Sequence, residues 1–455
     1  MRGEVTTWPT IQTVNLAWVL LAAFLVMFMQ AGFAMVETGF TRSKNAVNTM
    51  AMNFVVYPLG VLGFWLVGFG LMWGGVDGWP SLRQPGPAVV GSARELGLHL
   101  HGHLFGLVGA SRFALVSVAR DPASLAMFAF AAVFMDTAAT IPTGAMAERW
   151  KFSAFLLYGV FMSAVLYPLY GNWVWGGGWL AALGVGAGLG HGHVDFAGSS
   201  VVHLTGGVTA LAGTLALGPR TGKFRRDGTV AAIPGHNQPM AVVGTLILGF
   251  GWFGFNAGSA LSVADGQIAL IAVNTMLASS AAALSALLSV WYTLRKPDIG
   301  MVCNGFLGGL VAVTAPCAFV SPAAAVLIGV VAGLLVVASV VTIERRFRID
   351  DPVGAVSVHG VCGAWGALAV GLLADGAFGE GWNGVPGPVH GLLFGEPRQL
   401  LAQVIGVLAN VAFVFPVAFG FFRLVDRLLG NRVAADVELV GLDSVEMGSD
   451  AYPTG

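Results

Sequence analysis

Long apolar segments separated by short polar connections dominate this sequence. An α-helix needs about 20 apolar residues to cross the hydrocarbon core of a bilayer. Only 10% of the 455 residues are charged and 56% are hydrophobic, whereas soluble domains carry about 25% charged residues. So few charges cannot cover several water-facing domains, and the sequence therefore predicts an all-α integral membrane protein. The eleven candidate transmembrane helices are 14–38, 46–74, 123–146, 152–176, 196–218, 239–261, 267–293, 299–317, 322–343, 355–375 and 399–424.

The Lys and Arg residues alternate between the two sides of these spans. Sixteen of the 22 follow odd-numbered spans, and the other six lie on the opposite side. Because Lys and Arg accumulate on the cytoplasmic side, we expect the N-terminus outside and the C-terminus in the cytoplasm. The formal net charge of −1 argues against a nucleic-acid partner, which requires a basic surface. We expect a membrane domain over 1–424 and a cytoplasmic regulatory tail over 425–455.

Two pairs of similar segments indicate an inverted repeat of helices 1–5 and 6–10. Asp195 precedes His203 by eight residues in span 5, and Asp351 precedes His359 by eight residues in span 10. QAGFA in span 1 likewise resembles NAGSA in span 6. With five spans in each copy, the second copy starts from the opposite face. Proteins built in this way place their substrate site near the midplane, between the two repeats.

Of the nine histidines, only His203 and His359 lie well inside apolar spans. An ionisable group in the membrane usually faces a cavity or a path; the alternative is a neutral histidine bonded to a backbone carbonyl. Their repeat-related positions predict that the two rings meet between the halves. A neutral imidazole donates from one nitrogen and accepts at the other. The pair could therefore guide a small neutral molecule or relay a proton.

Tryptophans cluster where span 4 ends, in the segment WVWGGGW over 173–179. The face of a Trp ring attracts a cation by about 2 kcal/mol or more when water is excluded. Trp173 and Trp179 fit an interfacial aromatic belt. The glycines beside Trp175 let the backbone approach closely, which suits the floor of an outer vestibule.

Together these segments resemble the ammonium transporter family (Amt/Mep/Rh), specifically its bacterial Amt branch, over about residues 14–453. The matching stretches are GFA to RSKN (32–45), GAMAER (144–149), WGGG (175–178), DFAGSSVVH (195–203), GWFGFNAGSA (251–260), DDP (350–352), VHGVCG (358–363), GLD (441–443) and AYP (451–453). The resemblance implies a multi-pass protein of the cell inner (plasma) membrane, surrounded by lipid, that serves nitrogen uptake as a homotrimer with one pore per protomer. It implies no enzyme activity, no cofactor and no metal.

The resemblance also implies roles for individual residues. Trp175, Ser259 and Phe134 correspond to the family's site that binds ammonium on the outer side. Phe134 and Phe255 correspond to two stacked rings that close the pore mouth, and the histidine pair corresponds to the family's twin pore histidines. Asp195 corresponds to a supporting aspartate, which we expect to organise helix termini rather than to touch the substrate.

A selection principle follows from the chemistry of the substrate. Ammonium and potassium ions are similar in size, but only ammonium can lose a proton. Moving a bare ion into a dry pore costs tens of kcal/mol in an idealised continuum estimate. A site that binds the cation and then passes only ammonia through an apolar bore would therefore select by acidity.

Two acidic residues depart from the family's usual pattern. Glu37 and Asp136 both lie inside predicted spans, where a carboxyl group needs a partner or loses its charge. They could form hydrogen bonds that pack helices, or they could serve a proton route or couple ammonium binding to a signal. An ammonium-binding sensor with little or no transport is therefore the alternative function. An intramembrane enzyme is a weaker third hypothesis, because the paired histidines lack an evident metal set or nucleophile.

Further histidines lie in the predicted outer loops, at 99, 101, 103, 191 and 193. The spacing of the first three could bind a metal if the loops converged, and a solvated loop is the alternative. On the cytoplasmic side, the loop 220–235 and the tail face the same compartment. In the family these surfaces can dock a PII-type regulatory protein.

Overall fold

The computed structural model describes residues 10–82, 94–100, 102–264 and 266–452, apart from the side chains of Thr10, Phe378 and Glu380. Within these residues, ten helices are long and apolar enough to cross a membrane, and one more is apolar but shorter. We number them α1 to α11 in chain order: Ile11–Phe40, Ser43–Trp73, Pro122–Met146, Phe152–Val174, Ser199–Leu217, Gln238–Gly258, Gln267–Leu294, Ile299–Thr314, Pro322–Arg345, Val356–Leu373 and Pro397–Leu429. The prediction of an all-α integral membrane protein is confirmed.

The shorter helix is α8, which was predicted over 299–317 but ends at Thr314. Its 16 residues extend about 24 Å at 1.5 Å per residue, less than the roughly 30 Å hydrocarbon thickness. The helix ends early because backbone groups at its end form hydrogen bonds with residues at and just before the start of α5 instead of continuing the helix. The Ala315 amide donates to Ser199 Oγ at 2.7 Å, and the Ala197 amide donates to the Thr314 carbonyl. Eleven complete spans and the orientation of the chain stay predictions; Arg2 and Arg83, which entered the charge count, lie outside the described residues.

Several elements outside the long helices were not predicted, among them two hairpins and a short helix. Two antiparallel hairpins pair Glu95–Leu100 with His103–Gly109 and Asp375–Trp382 with Val385–His390. A nine-residue helix, Trp179–Ala187, follows the tryptophan segment. These elements lie in connections between spans, which a search for segments of about 20 apolar residues does not cover.

The first helices of the two predicted repeats, α1 and α6, pack along each other. Glycines permit this contact: a Cβ atom on Gly32 would lie 2.9 Å from the Gly244 carbonyl oxygen, and one on Gly244 would lie 2.7 Å from the Gly32 carbonyl oxygen. Small residues are the usual means by which transmembrane helices approach closely. The reciprocal contact agrees with a pairing of equivalent helices across the two halves.

The segments that carry the two predicted pore histidines share one local structure. Ser199–Leu204 and Val356–Val361 are π-helical turns at the starts of α5 and α10. Amide groups at the start of each turn donate to the aspartate that precedes the histidine by eight residues, Asp195 in one half and Asp351 in the other. Such turns are rare and occur frequently at functional sites. The Asp-to-His spacing is therefore a structural repeat.

The C-terminal residues are bound to the predicted cytoplasmic side. Both oxygens of Asp443 accept hydrogen bonds from the amides of Val47 and Asn48, at 2.9 Å each, where α2 begins. Lys44 Nζ donates to the Glu438 carbonyl at 2.8 Å. The division into 1–424 and 425–455 stays a prediction; α11 itself runs to Leu429, and the last residue of the AYP match, Pro453, lies outside the described residues.

Candidate functional site

The three predicted substrate-binding residues, Trp175, Ser259 and Phe134, line one cavity of about 240 Å³. We call it the outer cavity, after the predicted orientation. A water molecule occupies about 30 Å³ in the liquid, so the cavity can hold a small cation together with several waters. Most of its other large lining side chains are aromatic: Trp73, Trp79, Phe130, Phe196 and Trp382.

Hydrogen bonds orient the two cation-attracting groups of the outer cavity. Trp175 Nε1 donates to the Asp195 carbonyl at 2.6 Å, which fixes the indole ring. Ser259 Oγ donates to the Phe255 carbonyl at 2.8 Å, so its hydroxyl oxygen keeps lone pairs that can accept from a ligand. An indole face and a hydroxyl oxygen in one cavity are suited to a small hydrogen-bond-donating cation.

Two phenylalanines lie beneath the outer cavity in a stack. The ring centroids of Phe134 and Phe255 are 3.9 Å apart, with an angle of 20° between the planes. Both rings are almost completely buried. The edge of Phe134 also faces Trp175, with centroids 6.1 Å apart and planes at 69°. The stack therefore separates the outer cavity from the histidines by apolar material.

Asp195 is fully buried and organises the backbone below Trp175. Its Oδ1 accepts from the amides of Gly198 and Ser199 at 2.8 and 2.9 Å. Its Oδ2 accepts from the amides of Ser200 and Val201 and from the Ser200 hydroxyl, at 2.7 to 2.9 Å. Five donors fill this carboxylate, and Asp195 is not among the residues that line the outer cavity.

The rings of His203 and His359 meet, as the repeat predicted. Their Nδ1 atoms are 3.2 Å apart, and their centroids are 5.2 Å apart. Gly207 allows α5 and α10 to cross directly beside them, because a Cβ atom on it would lie 2.2 Å from the Gly360 amide nitrogen. The buried Nε2 atom of His203 has no hydrogen-bond partner in the described residues, so it is available to a molecule in the bore.

The histidine pair continues the line that begins at the phenylalanines. His203 lies 5.4 Å from Phe255, measured between centroids. On the other side, His359 and Phe33 line a small cavity of about 20 Å³, which we call the inner cavity. A cavity needs at least about 10–15 Å³ to hold one water, so this one accommodates a single molecule of that size.

Glu37 also lines the inner cavity. It is 3% exposed, and its Oε2 accepts from Asn53 Nδ2 at 2.6 Å and from Thr143 Oγ1 at 2.7 Å. Asp136 is equally buried, but its Oδ1 has no hydrogen-bond partner in the described part of the chain, and it lines neither the outer nor the inner cavity. The outer cavity, the ring stack, the histidine pair and the inner cavity follow one another, and we call them the line of cavities. The structure brings Glu37, but not Asp136, to this line.

A larger cavity, of about 760 Å³, lies on the predicted cytoplasmic side. We call it the cytoplasmic cavity. It shares Asn304 and Val353 with the inner cavity, and Asp351 lines it together with the loop 228–235. Burial raises the pKa of the Asp351 carboxyl group, which amides at the start of α10 partly offset.

Two groups of residues near the line from the outer cavity to the histidines were not assigned a role from the sequence. Trp252 stacks on His203, with centroids 5.0 Å apart and planes at 17°, and its Nε1 donates to Thr314 Oγ1 at 2.9 Å. Trp252 lies within the matching stretch GWFGFN, so an aromatic residue three positions before Phe255 was a usable signal. Trp382 and Asn383 of the second hairpin also line the outer cavity, and no pattern in the sequence pointed to them.

The outer-loop histidines do not converge in the described residues. His99 pairs with Leu104 and Leu100 with His103 in the first hairpin, and His101 lies outside the described residues. His191 Nε2 bonds with the Gly387 carbonyl, and His193 Nε2 bonds with the Ser200 hydroxyl. Within the described ranges, no three His, Cys, Asp or Glu side chains are grouped to hold a metal ion.

Comparison with known proteins identifies the family of this chain. The model of the Ammonium Transporter Family matches residues 17–452. The chain belongs to this family. Ammonium transporter Amt2 of Archaeoglobus fulgidus is 44% identical over 442 residues, which cover 97% of this chain and 88% of that relative. Ammonium transporter Amt1 of Haloferax mediterranei is 35% identical over 457 residues, covering 97% and 80%. These family members are named transporters rather than enzymes.

Solved structures of family members have the same fold. A structure titled sensor Amt protein superimposes with a TM-score of 0.81 and 35% identity, covering 96% of this chain and 99% of that one. Candida albicans Mep2 superimposes with a TM-score of 0.77 and 25% identity, covering 93% and 87%. The resemblance predicted from the sequence motifs is therefore confirmed over nearly the whole described chain.

Proposed function

We propose that this chain transports ammonium nitrogen across the membrane by binding ammonium and conducting ammonia. Ammonium is recruited in the outer cavity by Trp175, Ser259 and Phe134 and gives one proton to water there, so that ammonia and hydronium form. Ammonia then passes the gate of Phe134 and Phe255, is guided by His203 and His359, and is protonated again on the inner side. The observation that carries the proposal is the unbroken order of outer cavity, ring stack, histidine pair and inner cavity.

The line of cavities favours a molecule that can change its charge. The outer cavity offers an indole face and a hydroxyl oxygen to a cation, whereas the ring stack and the inner cavity, of about 20 Å³, leave no room for a hydrated ion. Desolvating an ion there has a cost of tens of kcal/mol in the continuum limit. Ammonia is neutral and both donates and accepts hydrogen bonds, as do neutral imidazoles.

Reconstituted vesicles test the proposal. We expect an ammonium jump to give uptake of ¹⁵N-ammonium above that of protein-free vesicles, with no uptake of potassium. A solid-supported membrane current under the same jump reports whether net charge moves. Absence of ammonium-dependent uptake above the protein-free background would contradict the proposal.

Matched tryptophan variants test the recruitment site. Trp175→Leu removes a cation–π contact of about 1–2 kcal/mol, so the half-saturating ammonium concentration should rise about 5- to 30-fold. Trp173 lies two residues away, does not line the outer cavity, and donates to the Leu107 carbonyl. Trp173→Leu should therefore leave half-saturation unchanged, and an equal rise in both variants would argue against a site at Trp175.

A sensor with little or no transport is the second candidate function. It is favoured by the similarity to the structure titled sensor Amt protein, together with the buried Glu37 and Asp136. For a sensor we expect saturable ammonium binding, seen as a change in tryptophan fluorescence that Trp175→Leu removes, without uptake above background. Uptake with the wild-type chain excludes this alternative as the sole function.

We also propose regulation by a PII-type protein on the cytoplasmic face of a homotrimer in the cell's inner membrane. The cytoplasmic cavity is large enough, at about 760 Å³, to admit an inserted loop, and the tail lies beside it through Glu438, which accepts from the Thr221 amide at 2.6 Å. Pull-down with a PII protein should succeed with the full chain and fail without residues 431–455. Equal binding by both, or binding by neither, would count against docking that depends on the tail.

The trimer is proposed from family membership and is tested separately. Light scattering on the detergent-solubilised protein should give three times the mass of one chain after correction for bound detergent and lipid. A mass of one chain under conditions that preserve ammonium uptake would contradict it.

A further inference from the structure

Glu37 lies at the inner end of the line of cavities, in the position that ammonia reaches after the histidines. We propose that Glu37 forms a second ammonium site: its carboxyl group protonates arriving ammonia and holds the resulting ammonium as its counter-ion until the cation leaves. This inference rests on the proposed function and deepens it. It assigns the protonation of ammonia, which restores the positive charge of ammonium, to one side chain.

The inner cavity brings the two groups together. His359 and Glu37 both line it, and its volume of about 20 Å³ suits one molecule of the size of water or ammonia. A molecule that leaves His359 on this side therefore enters a space that the carboxyl group borders. Most other lining side chains are apolar, among them Phe33, Val36 and Leu248, so few groups compete for its hydrogen bonds.

Two side chains hold one oxygen of the carboxyl group, and the backbone of Gly144 also forms a hydrogen bond to the group. Asn53 and Thr143 both donate to Oε2, and no side chain in the described residues donates to Oε1. Gly144 gives the group room, because a Cβ atom there would lie 2.9 Å from Oε1. Side chains therefore position Oε2, and Oε1, which no side chain in the described residues engages, can exchange a proton with a molecule in the cavity.

No cation of the protein neutralises Glu37 in the described residues, since none of the ion pairs there includes it. The titratable groups that face it are Asp351 before α10, His359 on α10 and Tyr158 on α4. A buried carboxylate without a cation is costly. The empty site therefore favours the carboxylic acid, and an ammonium ion supplies the charge that stabilises the carboxylate.

The proton balance is complete with hydronium from the cytoplasmic water as the co-reactant. The O–H bond of the Glu37 carboxylic acid breaks, its proton forms a fourth N–H bond on ammonia, and the electron pair stays on the carboxylate. Ammonium then leaves past Asn304 and Val353, which line both the inner and the cytoplasmic cavity. The carboxylate regains a proton from hydronium in the water of the cytoplasmic cavity.

The variant Glu37→Gln keeps the size and the acceptor oxygen but removes the exchangeable proton. Positioned acid–base groups typically contribute 10²–10⁴-fold to a proton transfer, so the initial rate of ¹⁵N-ammonium uptake should fall about tenfold or more. The dependence of the remaining rate on pH between 5 and 8 should also change shape. Glu37→Asp, which restores an acid, should recover part of the rate and the wild-type shape.

Asp136→Asn is the matched control, because Asp136 is also a buried carboxyl group but borders neither the outer nor the inner cavity. It should keep the wild-type rate and pH profile. Thermal unfolding in detergent establishes that each variant is folded. If folded Glu37→Gln transports with the wild-type rate and pH profile, or loses rate with an unchanged profile, the inference is overturned while the proposed function stands. If the wild-type chain itself shows no uptake, the proposed function fails instead.

Discussion

The Nδ1 atom of His203 lies 3.2 Å from the Nδ1 atom of His359. At this distance one nitrogen must donate and the other accept, so the neutral pair shares a single hydrogen between the two Nδ1 atoms. A second proton on these atoms would set two N–H groups against each other. The contact therefore excludes hydrogens on both Nδ1 atoms at once and leaves the two Nε2 atoms, of which His203 Nε2 has no hydrogen-bond partner in the described residues, available to other groups.

The double variant His203→Ala, His359→Ala removes both hydrogen-bonding rings from an otherwise apolar bore. We expect selective ammonium uptake in vesicles to be abolished, or its selectivity over potassium to be lost, because ammonia then has no partner where water is scarce. Uptake of ¹⁵N-ammonium and of potassium, measured on the same vesicles, provides the check. Unchanged selective uptake by the folded double variant would contradict the role assigned to the histidine pair.

Asp195 and Ser259 should respond to substitution in different ways. Asp195→Ala removes an acceptor of five hydrogen bonds and leaves buried amides unsatisfied, at about 1–3 kcal/mol for each group. We expect a lower unfolding temperature in detergent and a loss of transport with it. Ser259→Ala should leave the unfolding temperature unchanged and raise the half-saturating ammonium concentration. A stable Asp195→Ala with altered affinity alone would instead indicate direct contact between Asp195 and the substrate.

Asp443 should control how firmly the tail is held. It accepts two backbone hydrogen bonds where α2 begins, a position in which a negative charge also benefits from the helix dipole. Replacing a capping aspartate by Ala costs about 1 kcal/mol, so Asp443→Ala should speed proteolysis of the tail about fivefold. Asp450→Ala, in an exposed position nearby, is the control. Equal cleavage rates in both variants and the wild type would show that Asp443 does not hold the tail.

Much of the line of cavities was predictable because its ionisable residues stand out in apolar spans. His203 and His359 are ionisable residues in apolar spans, and a shared spacing from Asp195 and Asp351 tied them to one repeat. The meeting of the rings followed from that symmetry. The role of Asp195 as an organiser of backbone amides agrees with what the motif implied.

Other features depend on contacts that no local pattern encodes. The stacking of Trp252 on His203 requires the placement of α6 against α5, which apolar periodicity does not specify. The early end of α8 depends on hydrogen bonds from residues more than 100 positions earlier. Glu37 and Asp136 looked equivalent as buried acids, and the hydrogen bonds and cavities of the folded chain distinguish them. By contrast, the hairpin that begins at Glu95 lies in a Gly- and Pro-rich connection, and the alternation of Leu96, Leu98 and Leu100 with other residues was a usable strand signal.

Glu95, which begins the first hairpin, should make the outer loop sensitive to pH. Burial raises the pKa of its carboxyl group from 4.5 to about 7, against the opposing effect of the Asn172 side chain, which donates to it. Between these values the folded chain keeps a proton that the unfolded chain has lost. The contribution of Glu95 to the stability of the loop is therefore fully present below about pH 4.5 and is lost as the pH rises through 7.

This pH response should be visible by hydrogen exchange. The backbone carbonyl of Asn172 also accepts from the amides of Gly176 and Gly178 beside Trp175. Weaker packing of the hairpin at Glu95 should therefore extend to that segment. We expect amide protection over 94–110 and 176–178, after correction for the intrinsic pH dependence of exchange, to fall from pH 5 to pH 8 in the wild type. Glu95→Gln, which keeps the neutral form at every pH, should hold protection constant over this range. A parallel fall in both proteins would assign the pH response to a group other than Glu95.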